Sequence, residues 1–437
     1  MTLEFRNISF PCLRKGRKLF FGLLLILSFL PGWAGWSAEK TRPVDVFLKI
    51  FPFEYSLKIN GEEVSPEITK PLEKKISVFP GNYVFTISAE GYTSRKLFIQ
   101  ADRTSFTVEE KLEKEDSFLR LFAEIASGSQ PKSVEFTPDG SYLIVPLLDD
   151  NGIDVFSASS YKKILRMIPP ENFAEKKGFV ETAILPLHKE IWVSQMTTGC
   201  IHVFDLTTFD YLRSIPTLGE WTKVISINKD ETRAYVSNWL SEDISIINID
   251  TSEVEEKIKV DGTPRGLAFS GDGKFLYACM YDTGTLQKIN LETKEIEKTI
   301  NFRGGSKRHI VLDEKKNIFY VSDMYWGTIY VLNGENDTLI KEIKIDHNPN
   351  TICLSGDGKY LFISTRGPNH PETYLRKGPK FGKIYILDTE SLEIAQWIWG
   401  KNQPTGIALS PDNRLLAFTD FRDACIEIYW TGLSIEE

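Results

Sequence analysis

The chain has 437 residues, of which 42% are hydrophobic and 12% aromatic, so it can bury a large core and its composition argues against intrinsic disorder. Its formal net charge of −8 argues against a protein that coats nucleic acid in general, but not against a local basic site. The length allows for two or three domains.

The first 38 residues predict a secretory signal that is not part of the fold. Four basic residues between Arg14 and Lys18 precede an apolar run from Leu19 to Leu30, and small residues around Ala34 suit a cleavage site. The run is shorter than the ~20 residues of a membrane-spanning helix. An uncleaved anchor is the alternative, because the basic segment is long for a signal.

Cleavage would make the chain an exported protein of the periplasm or cell surface, with no membrane span. Its formal net charge would then be −12, because residues 1–38 hold five basic residues and one acidic residue. The remaining cysteines show no paired spacing and no C-x-x-C motif. A large exported chain does not need disulfides for stability, so four free and mostly buried thiols are predicted. They are Cys200, Cys279, Cys353 and Cys425.

Strands alone are predicted between about Val44 and Leu112, because apolar and polar residues alternate there as they do in half-buried strands. Asn60-Gly61 is a strong hairpin-turn signal, and Pro80-Gly81 predicts a second turn. The segment predicts a β-sandwich of six or seven strands over residues 44–112. We expect Glu113 to Asp116 to form a charged hinge to the next domain.

One stretch of this segment carries a family resemblance. Val78 to Tyr92, "VFPGNYVFTISAEGY", resembles the PEGA-type domain, whose pattern joins a Pro-Gly turn, an alternating strand and a terminal Gly-Tyr pair. The resemblance implies an interaction module of a cell-envelope protein rather than a catalytic domain.

Seven copies of one unit follow, with equivalent apolar positions every 42 to 55 residues. Each unit predicts four short strands, which is the pattern of a propeller blade, because a four-stranded sheet with two apolar faces needs a neighbour on each side. The seventh unit ends one strand short. Ser117 to Gly128 resembles a fourth strand, so we expect it to complete the last blade and close the ring. The equivalent positions are Val134, Thr182, Ile225, Leu267, Ile310, Ile352 and Ile407.

The units resemble the YVTN-type propeller repeat through "AYVSN" at Ala234 and "FYVSD" at Phe319. The resemblance covers residues 117–437 and implies a seven-bladed β-propeller. The predicted fold class is therefore all-β, a small β-sandwich followed by a seven-bladed β-propeller closed by an N-terminal strand. This fold serves lactonases, dehydrogenase subunits and binding proteins alike, so it does not imply an activity.

No catalytic residue, metal or cofactor is predicted. The five histidines have no metal-ligand spacing, and no G-x-S-x-G elbow or glycine-rich phosphate loop occurs. The resemblance to lactonase-type propellers implies a calcium held by Glu, Asn and Asp oxygens at the centre of one face. Glu181 is the only acid that this sequence places near the predicted centre of that face.

In the geometry of this family, the loops that enter the first strand of each blade share a face with the loops between the second and third strands. The residue two before the repeat position is cationic in four blades, namely Lys132, Lys223, Arg265 and Arg308. A basic face with aromatic residues predicts an anionic ligand. The neighbouring loops add Trp239, Tyr281, Tyr325, Trp326, Arg366 and Arg422.

Two functional hypotheses follow. The first is an exported, non-catalytic binding or scaffold protein of the cell envelope, with an anionic envelope glycan, a single-stranded nucleic acid or another envelope protein as its partner. The alternative is a lactonase-like hydrolase with a metal at the propeller centre. A purely structural interpretation also exists, in which acids of the same loops neutralise the cations. Those acids are Asp150, Asp282, Asp323 and Asp420.

Overall fold

The computed structural model describes residues 42–102 and 105–433, so the predicted signal, residues 1–38, lies outside the described residues. The described residues form 36 strands and one short helix, Glu171–Ala174 (α1). The predicted all-β fold is confirmed. Within the described ranges, no helix has the length and hydrophobicity needed to cross a membrane.

Eight strands of the front segment form two four-stranded sheets, where six or seven strands were predicted. They are Val44–Phe51 (β1), Ser56–Ile59 (β2), Glu62–Val64 (β3), Glu67–Lys70 (β4), Glu73–Val78 (β5), Gly81–Ser88 (β6), Arg95–Ala101 (β7) and Ser105–Lys111 (β8). The sheet orders are β4-β5-β1-β8 and β3-β2-β6-β7. Val46 and Leu48 of β1 pack against Phe85 and Ile87 of β6 in one core. The short strand β4 is exposed along its whole length, so alternation could not reveal it.

The next strand, Arg120–Ala126 (β9), precedes seven sheets that we number as blades 1 to 7. Blade 1 contains Glu135–Phe136 (β10), Tyr142–Pro146 (β11), Ile153–Ser157 (β12) and Lys163–Met167 (β13), and blade 2 contains Phe179–Leu185 (β14), Glu190–Gln195 (β15), Cys200–Asp205 (β16) and Tyr211–Pro216 (β17). Blade 3 contains Thr222–Ile227 (β18), Arg233–Asn238 (β19), Asp243–Asn248 (β20) and Glu253–Lys259 (β21). Blade 4 contains Pro264–Phe269 (β22), Phe275–Met280 (β23), Leu286–Asn290 (β24) and Ile296–Ile300 (β25).

Blade 5 contains Lys307–Asp313 (β26), Ile318–Asp323 (β27), Thr328–Asn333 (β28) and Leu339–Lys344 (β29), and blade 6 contains Pro349–Leu354 (β30), Tyr360–Thr365 (β31), Lys383–Asp388 (β32) and Glu393–Trp399 (β33). Blade 7 contains Pro404–Leu409 (β34), Leu415–Asp420 (β35) and Cys425–Trp430 (β36), and its fourth strand is β9. In each sheet the strands are hydrogen-bonded in this order.

The middle strands of each blade are buried on both sheet faces. In β19, Arg233 is exposed and every following residue to Asn238 is buried. Ile225 and Val236 of blade 3 pack in one cluster with Trp192 and Val203 of blade 2. Contact on both faces explains why these strands are almost continuously apolar.

Blade 7 takes its fourth strand from before blade 1. β9 pairs antiparallel with β36, from Arg120 opposite Trp430 to Ala126 opposite Cys425. Ile125 of β9 thereby enters a core that also contains Leu143 of blade 1. Blade 7 is therefore built from both ends of the propeller segment, and its β9 strand packs against blade 1.

The residues expected to form a hinge are held by the sandwich, so the hinge prediction is wrong. The Thr93 N–H donates to the Glu113 carbonyl (2.8 Å), and the Glu115 N–H donates to the Gly91 carbonyl (3.0 Å). Backbone hydrogen bonds on both sides of Lys114 remove the freedom that a hinge requires. The charged composition predicted a solvated linker, but the backbone of these residues is hydrogen-bonded to the sandwich.

In the part of the chain that the structure describes, the four cysteine thiols are all free. Cys200, Cys279 and Cys425 are buried and Cys353 is half-buried. Burial raises the pKa of each of these thiols. A raised pKa leaves little thiolate, so these side chains are poor nucleophiles and poor metal ligands.

Candidate functional site

A serine on the second strand of several blades holds the first strand of the following blade. Ser194 Oγ donates a hydrogen bond to the Lys223 carbonyl (2.6 Å), and Ser237 Oγ donates to the Arg265 carbonyl (3.0 Å). Ser237 Oγ also accepts the Val224 N–H of its own blade (3.1 Å), so one hydroxyl joins two blades. This serine belongs to the "AYVSN" repeat. The repeat thus positions the predicted ring of cations, to which Lys223 and Arg265 belong. Ser322 and Ser364 hold the carbonyls of Asn350 and Thr405 in the same way.

The ring side chains converge on a cavity of about 240 Å³ on one face of the propeller, which we call the central cavity. Seven of the ten residues predicted for the site line it: Lys132, Lys223, Arg265, Arg308, Arg366, Trp239 and Tyr281. The other lining residues were not predicted. They are Leu148, Met196, Trp221, Met324, Asn348, Asn369 and Tyr374.

The other three predicted residues, Tyr325, Trp326 and Arg422, lie outside the lining of the central cavity. The Trp326 ring stacks with the Arg303 guanidinium, 4.7 Å from its centroid, and Trp326 Nε1 donates to the Arg303 carbonyl (3.2 Å). The Tyr325 side chain projects into solvent and is 71% exposed. Arg422 lies 6.0 Å from the Phe421 ring. Membership of the same loops therefore did not ensure a common direction of these side chains.

One carboxylate neutralises part of the ring. Arg265 Nη2 donates to Glu181 Oε1 (2.9 Å), and this is the ion pair that the described residues provide for Lys132, Lys223, Arg265 and Arg308. The acids that were expected to neutralise the ring bind elsewhere, so the purely structural interpretation is wrong for them. Asp150 pairs with Arg166, Asp323 pairs with Lys307, Asp282 accepts the Thr263 N–H, and Asp420 accepts the Lys401 N–H.

Several buried donors of the central cavity have no hydrogen-bond partner within the described protein. Nη1 of Arg265 and Nη1 of Arg308 are both unpartnered, although each of these residues is only 4% exposed. Nε of Arg366 and Nε1 of Trp239 are also buried without a partner. Buried donors in native proteins are nearly always hydrogen-bonded, so this cluster is suited to a ligand with acceptor oxygens.

Burial and mutual repulsion act on the same cations. Burial, and then the charge of Arg265, lower the pKa of Arg308 to about 9. Burial lowers the pKa of Lys223 well below its usual range, with smaller contributions from Arg265 and Arg308. Burial, and then Arg366, lower the pKa of Lys132 in the same way. An anion in the cavity would stabilise the charged forms of all these groups.

Aromatic rings form the blade 3 side of the cavity. Lys223 Nζ lies 4.8 Å from the Trp239 ring centroid, 5.1 Å from that of Trp221 and 2.9 Å from Met196 Sδ. The Trp221 and Trp239 rings stack at 5.7 Å. Trp221 was missed because it lies in the loop after the fourth strand of blade 2. Its position two residues before Lys223 was the available signal.

The long loop after β31 forms the blade 6 side. Its first residue, Arg366, donates to Gln403 Oε1 and lies 5.4 Å from the Tyr374 and Phe421 ring centroids. Gln403 Nε2 donates to the Tyr374 carbonyl (2.8 Å), which fixes the loop over the cavity. The length of this loop was visible in the sequence, but it could not show that Tyr374 returns to the centre.

Two further titratable groups lie close to the ring. Burial, and then the charge of Glu181, raise the pKa of Glu135 to about 8. Burial, followed by the charge of Arg308, lowers the pKa of His309 to about 3, so this imidazole is neutral at pH 7. Within residues 42–102 and 105–433, no group of three or more His, Cys, Asp or Glu residues could hold a metal ion. The described lining of the central cavity contains five cationic side chains and no carboxylate, so it does not fit the calcium that the lactonase resemblance implied.

Comparisons with known proteins agree with this architecture. Residues 103–303 match the family described as "Lactonase, 7-bladed beta-propeller". Antigen Lp49 of Leptospira interrogans is 42% identical over 325 residues, which is 73% of this chain and 71% of that protein. A solved structure of Kuenenia stuttgartiensis hydrazine synthase superimposes with a TM-score of 0.60 at 18% identity, covering 70% of this chain and 96% of that chain. At this low identity the structural likeness shows the fold alone.

Proposed function

This chain belongs to the family of antigen Lp49, and on that premise we propose that it is an exported binding protein of the cell envelope that recognises an anionic group in the central cavity. The name of the relative, an antigen, is compatible with an envelope location. The resemblance of the front sandwich to PEGA-type domains supports the same compartment. The binding partner is an envelope glycan, a single-stranded nucleic acid or another envelope protein.

The observation that carries this proposal is the pair of buried, unpartnered guanidinium nitrogens of Arg265 and Arg308. Burying a charge without a partner is costly in free energy, so a fold that needed only stability would favour neutral residues here. An anion would accept these hydrogen bonds and compensate the charge. Charge-assisted hydrogen bonds between guanidinium groups and oxyanions are among the stronger polar contacts in proteins.

Titration calorimetry with inorganic phosphate, glutarate, a glucuronate oligomer and an oligo-dT strand tests the proposal. We expect at least one probe to bind, and Arg308→Gln to weaken that binding at least tenfold. The melting temperature of this variant should stay the same or rise, because the variant removes a buried charge. Binding should also weaken with salt, since the Debye length falls from about 10 Å at 0.1 M to about 3 Å at 1 M.

Arg303→Gln is the matched control, because Arg303 lies near this face but does not line the cavity. It should leave probe binding unchanged. The proposal fails if neither one of the four probes nor an acidic peptide binds, or if the two substitutions weaken binding equally.

A second candidate function is lactone hydrolysis, which is favoured by the family matched over residues 103–303. The metal-centred form of this hypothesis does not fit the residues present. A metal-free form would use Glu135, protonated up to about pH 8, as the acid and Glu181 as the base. Hydrolysis of δ-valerolactone in a pH-stat that is abolished by Glu181→Gln would support this function. Equal rates with and without the protein would contradict it.

A further inference from the structure

The face that bears the central cavity also exposes a set of large apolar side chains, which we call the apolar rim. Two of them, Trp221 and Tyr374, line the cavity directly. The others lie in loops of the same face. The rim comprises Trp221 (39% exposed), Leu240 (54%), Tyr325 (71%), Tyr374 (47%) and Leu375 (44%).

The opposite face differs sharply. Among the described residues, the loops of that face expose one large apolar side chain, Leu187. Single exposed apolar residues are normal on protein surfaces, whereas several around one cavity are typical of an interaction site. Large apolar side chains are also exposed on the sandwich and on the outer strands of the blades, for example Phe98, Ile164 and Leu212, so the contrast holds between the loops of the two propeller faces.

The rim is held in place by hydrogen bonds. The Trp239 N–H donates to the Trp221 carbonyl (3.1 Å), and the Leu240 N–H donates to the Glu220 carbonyl (3.1 Å), so Trp221 and Leu240 lie together on blade 3. The Gln403 side chain holds the Tyr374 carbonyl (2.8 Å) on the blade 6 side. Blades 3 and 6 stand far apart around a seven-bladed ring, so apolar contacts are offered on both sides of the cavity.

We infer that the partner is a protein segment that inserts one Asp or Glu side chain into the central cavity and packs apolar neighbours on both sides of that residue against the apolar rim. The inference rests on the proposed function and specifies its partner. The carboxylate would accept hydrogen bonds from Arg265 and Arg308, whose charge and free Nη1 atoms supply the complementarity. Buried arginines next to tryptophan and tyrosine are the residue types that dominate binding energy at protein interfaces.

The geometry disfavours the two polymers considered as alternatives. The central cavity has a volume of about 240 Å³, and Arg265 and Arg308 inside it are each only 4% exposed. A single protruding side chain can reach these guanidinium groups, whereas the backbone phosphates of a nucleic acid cannot enter so small a cavity. On a glycan, the neighbours of an acidic sugar are hydroxylated, and they would leave Leu240 and Leu375 without apolar contacts. A peptide supplies a protruding carboxylate and apolar flanks at the same time.

A phage-displayed random peptide library, selected on the full-length protein, tests this inference. We expect enrichment of peptides with one Asp or Glu flanked by aliphatic or aromatic residues. In a synthetic copy of the best peptide, replacing the acid by Asn or Gln should weaken binding at least tenfold. This comparison leaves the protein unchanged, so it does not depend on the folding of a variant.

The double substitution Leu240→Ser and Leu375→Ser should weaken the peptide at least tenfold and leave the affinity for glutarate unchanged. Leu187→Ser on the opposite face is the matched control and should change neither. Peptides enriched without an acid, or bound equally by the rim variant, would overturn the inference. If phosphate or the glucuronate oligomer binds through Arg308 while no acidic peptide is enriched, the inference fails and the proposed function stands. If no anion or peptide depends on Arg308, both fail.

Discussion

Lys111, the last residue of β8 in the front sandwich, donates a hydrogen bond from its ammonium group to the carboxylate of Glu427 in blade 7. The two side chains are 7% and 0% exposed, and Lys111 also donates to the Trp399 carbonyl (2.9 Å). Next to them, Phe51 of the sandwich packs its ring against Trp399 at 5.1 Å. The sandwich therefore supplies the counter-charge of a carboxylate that is buried in the propeller.

Removing the Lys111 charge should destabilise the whole protein. Lys111→Met leaves Glu427 buried without its cation, and loss of one partner of a buried ion pair costs about 3–5 kcal/mol in the free energy of unfolding. Urea unfolding measures the difference. Lys58→Met is the control, because the Lys58–Glu63 pair is exposed and contributes at most ~1 kcal/mol. Similar losses for both variants would show that the sandwich is not integrated with the propeller.

Glu181 should compete with the ligand for Arg265. Because Arg265 Nη2 lies 2.9 Å from Glu181 Oε1, Glu181→Gln removes the internal anion and raises the positive charge of the cavity. We expect glutarate to bind this variant about tenfold more tightly, which is ~1.4 kcal/mol. Calorimetry gives the affinity. Weaker binding would mean that Glu181 contacts the ligand rather than competing with it.

Glu135 should make stability fall as the pH rises. In the folded protein its carboxyl keeps its proton up to about pH 8, whereas in the unfolded chain it loses the proton near its usual pKa of 4.5. The unfolded state therefore binds fewer protons between these values, so the free energy of unfolding decreases with pH across this window. Glu135→Gln should remove this decrease, which amounts to at least about 1 kcal/mol between pH 6 and pH 8.

Urea unfolding at pH 6, 7 and 8 measures this effect, with Glu253→Gln as a control at an exposed site on the outer strand β21. If Glu135→Gln and the wild type show the same pH dependence, the Glu135 carboxyl is ionised in the folded protein.

Binding of an anion should be coupled to proton uptake. Burial and neighbouring cations lower the pKa of Lys223 and Lys132, and an anion in the cavity opposes that shift. Protons are therefore bound with the ligand, and the affinity for glutarate should fall as the pH rises. Calorimetry in buffers of different ionisation enthalpy counts the protons. A binding enthalpy that does not depend on the buffer would contradict this coupling.

The sequence by itself determined the architecture of the propeller and the backbone positions of its ring. A recurrence every 42 to 55 residues sets the number of blades, and equivalent positions in each repeat place Lys223, Arg265 and Arg308 on one face. The serine of the "AYVSN" repeat adds the hydrogen bond that holds the next blade. Such information is readable because strand alternation and repeat geometry act through the local backbone.

Only the tertiary structure decided which side chains meet. Tyr374 lines the cavity, whereas Trp326 packs against Arg303. Lys111 pairs with Glu427, from which it is separated by 316 residues in the sequence. Neutralisation of a charge depends on distances through space between residues on different blades, and no local pattern encodes these distances. For that reason the sequence predicted a basic ring, and the fold alone showed that it is buried and largely without carboxylate partners.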